Sequence, residues 1–92
     1  MRLLLVEDNP QLAELVHDGL TRQGFAIDRC GSLKEALAAR SAASYDLILL
    51  DLGLPDGDGM SLVRELRQGK DSTPILILTA RVGLKDQSIG LV

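Results

Sequence analysis

The sequence predicts an α/β fold, a doubly wound parallel sheet with helices on both faces. Three short, continuous apolar runs, residues 3–6, 47–50 and 75–78, alternate with segments of helical periodicity. Continuous apolar runs are typical of strands buried on both faces of a parallel sheet. Right-handed crossovers between such strands place helices on both sides. We therefore predict one domain, residues 1–92.

The first strand and helix have clear boundaries. Residues 3–6 form the strand, and Asn9 and Pro10 are typical of a helix N-cap and a first helical position. Gly24 is suited to ending this helix. Its predicted apolar stripe consists of four residues, Leu12, Leu15, Val16 and Leu20.

The second strand and helix have weaker patterns. Residues 25–30 alternate imperfectly between apolar and polar side chains, as expected near the edge of a sheet. Ser32 and Glu35 have the spacing of a capping box, which predicts that the second helix begins there.

The second half of the chain repeats the alternation. Residues 46–51 form a third strand, and residues 52–58 are rich in Gly, Pro and Asp, which predicts a loop. Residues 59–67 resume a helix, and residues 75–79 form a fourth strand. A last, poorly patterned helix is expected within residues 81–92.

Polar side chains follow three of the predicted strands. Glu7 and Asp8 follow the first strand, Asp51 ends the third, and Thr79 ends the fourth. Ligand sites in open parallel sheets lie outside the carboxyl ends of the strands. We therefore expect three carboxylates and one hydroxyl to meet at one edge of the sheet.

Carboxylates that lie together repel one another unless a cation is present. Mg²⁺ suits such a cluster, because it binds one or two carboxylates and retains several waters. A metal there could neutralise a phosphoryl group. Asp51 is then a candidate nucleophile that forms an aspartyl phosphate. Thr79 is a candidate donor of a hydrogen bond to a phosphoryl oxygen.

Each of these residues also has a purely structural interpretation. Asp8 beside Asn9 suits a helix cap, Asp51 suits a turn, and Thr79 suits a β-branched strand position. Their joint placement at three strand ends favours a functional site.

Composition excludes several other classes of protein. The net charge is −3, and Phe25 and Tyr45 are the only aromatic residues, which disfavours direct binding of nucleic acid. No apolar run approaches the length of a membrane span. The single cysteine, Cys30, is consistent with a cytoplasmic protein.

Three segments together closely resemble the receiver domains of two-component response regulators. Residues 4–9 (LLVEDN) resemble the first strand and acidic pair, and residues 46–59 (DLILLDLGLPDGDG) resemble the phosphoacceptor strand and its loop. Residues 74–81 (PILILTAR) resemble the strand with the switch hydroxyl. The resemblance covers residues 2–81 and is strongest to the OmpR/PhoB subfamily.

This resemblance implies a flavodoxin-like (CheY-like) fold with strand order 2-1-3-4-5 and a Mg²⁺ site. Asp8 would bind the metal directly, Glu7 would bind it through water, and Asp51 would also belong to the metal site. Gly53 would contribute its backbone carbonyl.

The resemblance also implies a phosphoryl-transfer role. Asp51 would be the phosphoacceptor, a sensor histidine kinase would be the donor, and Thr79 would be the switch residue. The backbone N–H of Ala80 would contact the phosphoryl group. The domain would have no enzymatic activity beyond its own phosphorylation and dephosphorylation. It would control transcription through a C-terminal DNA-binding domain that these 92 residues do not contain.

The chain departs from the family after Arg81, over residues 82–92. Receivers continue with a fifth strand that carries a lysine, then a fifth helix, and we expect both to be absent here. Lys85 follows Thr79 by six residues, too soon for that role. The chain therefore resembles a C-terminally truncated receiver, and we expect its phosphorylation to be slow or absent.

Loss of the fifth strand would leave residues 75–78 as an exposed aliphatic edge, which favours pairing with another chain. We therefore expect either a homodimer, formed by strand pairing or element exchange, or an unstable chain. The alternative function is a non-signalling module that binds proteins through this edge. A phosphatase of the aspartyl-phosphate class is disfavoured, because such enzymes need an acid where Gly53 stands.

Overall fold

The computed structural model describes residues 1–79 and 88–91 of the chain. These residues form three helices and seven strands. In chain order they are β1 (Arg2–Val6), α1 (Pro10–Arg22), β2 (Ala26–Cys30), α2 (Leu33–Ala42), β3 (Leu47–Asp51), β4 (Gly53–Leu54), β5 (Gly57–Asp58), α3 (Gly59–Gln68), β6 (Ile75–Thr79) and β7 (Ser88–Leu91). No helix in this described part of the chain is long and apolar enough to cross a bilayer.

The main sheet has the strand order β2-β1-β3-β6-β7. The four strands β2, β1, β3 and β6 are parallel. Val6 of β1 pairs with both Cys30 of β2 and Leu50 of β3. The carboxyl ends of the central strands are therefore aligned at one edge. The predicted fold class is confirmed.

The sheet separates two hydrophobic clusters. Leu4, Val6 and Leu50 point toward the cluster that also contains residues of α2 and α3. Leu5 and Leu49 point to the opposite face, where they pack with Ala13 of α1. Neighbouring residues of one strand thus enter different clusters, because side chains alternate across a strand. This explains why residues 3–6 of β1, 47–50 of β3 and 75–78 of β6 are apolar without interruption.

The predicted helix starts are confirmed by capping contacts. The side chain of Asn9 accepts hydrogen bonds from the N–H groups of Gln11 and Leu12. Ser32 Oγ accepts one from the N–H of Glu35. These side chains satisfy amide donors that have no partner within the first helical turn.

The predicted stripe of α1 is partly wrong. Leu15 is 67% exposed, whereas Ala13 is 2% exposed and lies in the core. Val16 and Leu20 pack against the cluster that contains Ala13. They lie three and seven residues after Ala13. Because that spacing defines one face of a helix, Leu15 is turned toward solvent.

The end of the chain also differs from the prediction. β7 pairs with β6 in antiparallel orientation, with Thr79 opposite Ser88 and Leu76 opposite Leu91. The expected exposed edge at β6 is therefore wrong, and so is a helix over residues 88–91. The remainder of that predicted helix, residues 81–87 and residue 92, lies outside the described residues. The reason is that the open backbone groups of β6 are available to any extended segment, and periodicity does not reveal this.

A small antiparallel sheet follows β3 directly. Gly53 pairs with Asp58 and Leu54 pairs with Gly57, in a segment that was predicted as a loop. Leu54 is buried and belongs to the cluster under α2 and α3. The segment after Asp51 is therefore folded back on itself and anchored in the core.

Candidate functional site

Three carboxylates meet at the carboxyl edge of the sheet. Glu7 and Asp8 directly follow β1, and Asp51 is the last residue of the adjacent strand β3. One oxygen from each carboxylate can be chosen so that all three lie within 4.8 Å of one another. The predicted convergence of these side chains is confirmed, and it results from the parallel register of β1 and β3.

Glu7 is the most enclosed of the three, with 8% of its surface exposed. Its backbone N–H donates to the carbonyl of Cys30, and its Oε2 accepts from the N–H of Asn9. Burial raises the pKa of the Glu7 carboxyl, the Asn9 hydrogen bond opposes this, and the charges of Asp51 and Asp8 raise it further. The protein therefore holds an acid where its ionised form is disfavoured.

The donor set fits a hard divalent cation. It consists of carboxylate oxygens, which are the ligands that Mg²⁺ prefers in proteins. A cation would offset both the burial of Glu7 and the repulsion from Asp8 and Asp51.

The other predicted site residues follow β3 and β6. Gly53 begins β4, two residues after Asp51. Thr79 ends β6, one position beyond Leu78, which is the backbone partner of Asp51. The backbone of Thr79 thus reaches the same edge of the sheet as Asp51. Ala80 lies outside the described residues.

Gly59 is a residue whose importance the sequence analysis missed. A Cβ atom built on it would lie 2.7 Å from the carbonyl oxygen of Asp51 and 3.0 Å from the Cα of Leu52. Its N–H donates to the carbonyl of Leu52 at 2.9 Å. The first residue of α3 therefore packs directly on the backbone of the candidate phosphoacceptor, which only glycine permits.

A cavity of about 280 Å³ adjoins the acidic pair. Its lining includes Glu7 and Asp8 on one side and Arg29, Cys30 and Gly31 on another. The position of Arg29 here was also missed, since β2 was interpreted only as a weak edge strand. Burial raises the pKa of the Cys30 thiol to about 11, so this cysteine stays protonated and unreactive at neutral pH.

The comparison with known families matches residues 3–91 to the response regulator receiver domain. Transcriptional regulatory protein PmrA of Pectobacterium parmentieri is 45% identical over 91 residues. Two-component response regulator PhoP of Pseudomonas aeruginosa is 44% identical over 91 residues. Each alignment covers 99% of this chain, but only 41% of PmrA and 40% of PhoP. These relatives are regulators of the OmpR/PhoB type.

Solved structures agree with this result. The receiver domain of the Francisella response regulator 1452 has a TM-score of 0.83 and 28% identity, covering 91% of this chain and 69% of that one. The response regulator TrrA of Thermotoga maritima, in complex with Mg²⁺-BeF, has a TM-score of 0.82 and 33% identity. The match covers 91% of this chain and 73% of TrrA. This chain therefore belongs to the response regulator receiver domain family.

Proposed function

We propose that residues 1–92 form a receiver domain that accepts a phosphoryl group on Asp51 from a sensor histidine kinase. The observation that carries this proposal is the meeting of Glu7, Asp8 and Asp51 within 4.8 Å at the carboxyl edge of a parallel sheet. Ordinary turn or capping roles for these acids do not require them to share one site. PmrA, which is named as a transcriptional regulatory protein, supports an output in gene expression.

The acidic cluster would hold Mg²⁺ through Glu7, Asp8, Asp51 and the backbone carbonyl of Gly53. The bound ion would neutralise negative charge on the cluster and on an incoming phosphoryl group. Support comes from the carboxylate donor set and from TrrA, which was solved with Mg²⁺-BeF.

The chemistry belongs to Asp51. One of its carboxylate oxygens forms a bond to phosphorus while the bond from phosphorus to the donor breaks, and the departing donor group takes up a proton. The product is an aspartyl phosphate. The hydroxyl of Thr79 and the N–H of Ala80 would then donate hydrogen bonds to phosphoryl oxygens. These two contacts would couple the modification to a change of conformation.

The test is incubation of the chain with a small phosphodonor, with and without Mg²⁺, followed by measurement of its intact mass. We expect slow incorporation of at most one phosphoryl group. The only lysine after Thr79 is Lys85, which follows Thr79 too soon to take the role of the family's lysine. Incorporation should require Mg²⁺ and should disappear in Asp51→Asn. Modification of Asp51→Asn, or an absence of Mg²⁺ binding by the unmodified chain, would contradict the proposal. Rapid stoichiometric modification would show that the family's lysine is dispensable.

We also propose that the protein acts in the cytoplasm, has no catalytic activity beyond its own phosphorylation state, and reaches DNA only through a further domain. A homodimer, formed by strand pairing or element exchange, stays a prediction. Its basis has changed, because β7 now covers β6. A non-signalling protein-binding module is the alternative, and Mg²⁺ titration discriminates, since such a module has no need of the cation.

A further inference from the structure

Asp56 makes an unusual pair of contacts. Its carboxylate accepts hydrogen bonds from the backbone N–H groups of Leu33, at 2.8 Å, and Lys34, at 3.1 Å. These are the first two residues of α2, and their N–H groups have no partner within the helix. The carboxylate comes from a different loop, 23 residues beyond Leu33. It also places a negative charge at the positive end of the helix dipole.

The side chains around α2 leave these two donors to Asp56. Ser32 Oγ accepts from the N–H of Glu35, and Glu35 Oε1 accepts from the N–H of Gly31. Asp56 thus completes the cap of α2 from outside the helix. The two backbone hydrogen bonds hold the pKa of the Asp56 carboxyl below its ordinary value, so it is charged at neutral pH.

Asp56 lies in the turn that closes the small sheet next to Asp51. Gly53 and Leu54 of β4 pair with Asp58 and Gly57 of β5, so the turn and the start of β4 form one unit. Holding Asp56 in place therefore also restrains Gly53, whose carbonyl is part of the proposed metal site.

A second contact joins the same two segments. Gly57 has φ of +148°, and a Cβ atom built on it would lie 2.9 Å from Cδ1 of Leu33. The turn therefore touches the first residue of α2 by packing as well as by hydrogen bonds. Two independent contacts link the loop after Asp51 to the start of α2.

We infer that Asp56 is a positioning residue for the acidic site, clamping the loop that carries Gly53 to the N-terminus of α2 and thereby strengthening the binding of a divalent cation. This inference rests on the proposed function for its metal, and the clamp itself rests on the contacts above. Asp56 touches neither the metal nor the phosphoryl group in this role, because its carboxylate is occupied by α2.

The experiment is a titration of the chain with Mg²⁺, in which the chemical shifts of the backbone amides report how much metal is bound. Asp56→Ala should weaken Mg²⁺ binding about tenfold, which is the lower end of what supporting residues around metal sites contribute. Asp56→Asn keeps one acceptor oxygen and should retain part of the affinity. Asp58→Asn is the matched control, because it removes the same charge from the same loop while Asn still caps α3. Its affinity should match that of the unmodified chain.

Amide hydrogen exchange tests the clamp without metal. The N–H groups of Leu54 and Gly59 both donate to the carbonyl of Leu52 within this loop. Their exchange should accelerate in Asp56→Ala, while exchange in α1 stays unchanged. A merely structural role in α2 would affect Leu33 and Lys34 alone.

The outcomes separate the two proposals. An unmodified chain that binds no Mg²⁺ contradicts the proposed function, and unchanged exchange of Leu54 and Gly59 in Asp56→Ala overturns the clamp. If Mg²⁺ binds equally well to the unmodified chain and to Asp56→Ala, the positioning role is overturned even where exchange accelerates. Equal losses of affinity in Asp58→Asn and Asp56→Ala would overturn it too, since charge alone would then explain the effect.

Discussion

At the residue scale, Gly59 shows how one missing side chain shapes the site. Its Cα lies so close to the backbone of β3 that an added Cβ would meet the Asp51 carbonyl oxygen at 2.7 Å. Contacts this short with backbone atoms cannot be relieved by moving a flexible side chain. The requirement for glycine therefore comes from close packing of α3 on the strand that carries Asp51.

Replacing Gly59 with alanine should destabilise the chain by about 1–3 kcal/mol, as is typical of overpacking. Gly19→Ala is the matched control, because a Cβ at this position in α1 would meet nothing within 4 Å. This control should be stabilised by roughly 0.5–1 kcal/mol, since alanine favours a helix over glycine. Urea unfolding of both variants measures the difference. Equal stability changes in the two variants would contradict the close-packing argument.

At the element scale, Asp71 connects α2 to the segment before β6. Its carboxylate accepts from Arg40 Nε at 3.0 Å and from both the N–H and the hydroxyl of Thr73. The hydrogen bonds from Thr73, supported by Arg40, lower the pKa of Asp71 to about 2. The side chain is 20% exposed, so these contacts are partly shielded from water.

This lowered pKa predicts a loss of stability in acid. Because the folded state favours the ionised form, the contribution of Asp71 is present above its ordinary pKa of 3.8 and is lost as pH falls toward 2. Asp71→Asn should cost about 1 kcal/mol at neutral pH, after allowance for partial exposure. It should also flatten the dependence of stability on pH in that acidic range.

Unfolding free energies measured by urea between neutral and acidic pH check this expectation. Asp18→Asn is the control, because the Asp18 side chain is exposed on α1 and its carboxylate lies 3.3 Å from Nδ1 of the neighbouring His17. A variant at Asp71 with the same pH dependence as the unmodified chain would show that the connection between α2 and β6 contributes little.

At the scale of the whole molecule, the acidic site opposes stability when no cation is bound. Glu7 is buried, its pKa is raised first by that burial, and Asp51 and Asp8 raise it further. A raised pKa means that the folded state disfavours the charged form. The resulting loss of folding stability is absent below 4.5, the ordinary pKa of Glu7, and develops as pH rises through the pKa of Glu7 in the folded state.

Mg²⁺ should therefore stabilise the fold, and its removal by a chelator should reverse the effect. At a concentration ten times its dissociation constant, the expected gain is about 1.4 kcal/mol. Glu7→Gln should unfold at a higher urea concentration than the unmodified chain when Mg²⁺ is absent, because it removes the buried charge. It should gain less from added Mg²⁺. Equal stabilisation of the unmodified chain and of Glu7→Gln by Mg²⁺ would contradict a role for Glu7 in the proposed metal site.

The fold was largely predictable because its strands carry their signal locally. The strands β1, β3 and β6 each contain a continuous apolar run, and a parallel sheet aligns the residues that follow such runs. The convergence of Glu7, Asp8 and Asp51 follows from that alignment alone. The roles carried over from the family for Gly53, Thr79 and Ala80 stay predictions.

The sequence by itself determined the α/β class and the edge at which the acids meet, because these depend on local hydrophobic patterns. Only the tertiary structure decided that β7 pairs antiparallel with β6, that Leu15 faces solvent, and that Asp56 caps α2. Each of these depends on which distant segment occupies a free backbone edge, a helix face or an unpaired amide. Competition between distant segments leaves no periodic signal along the chain.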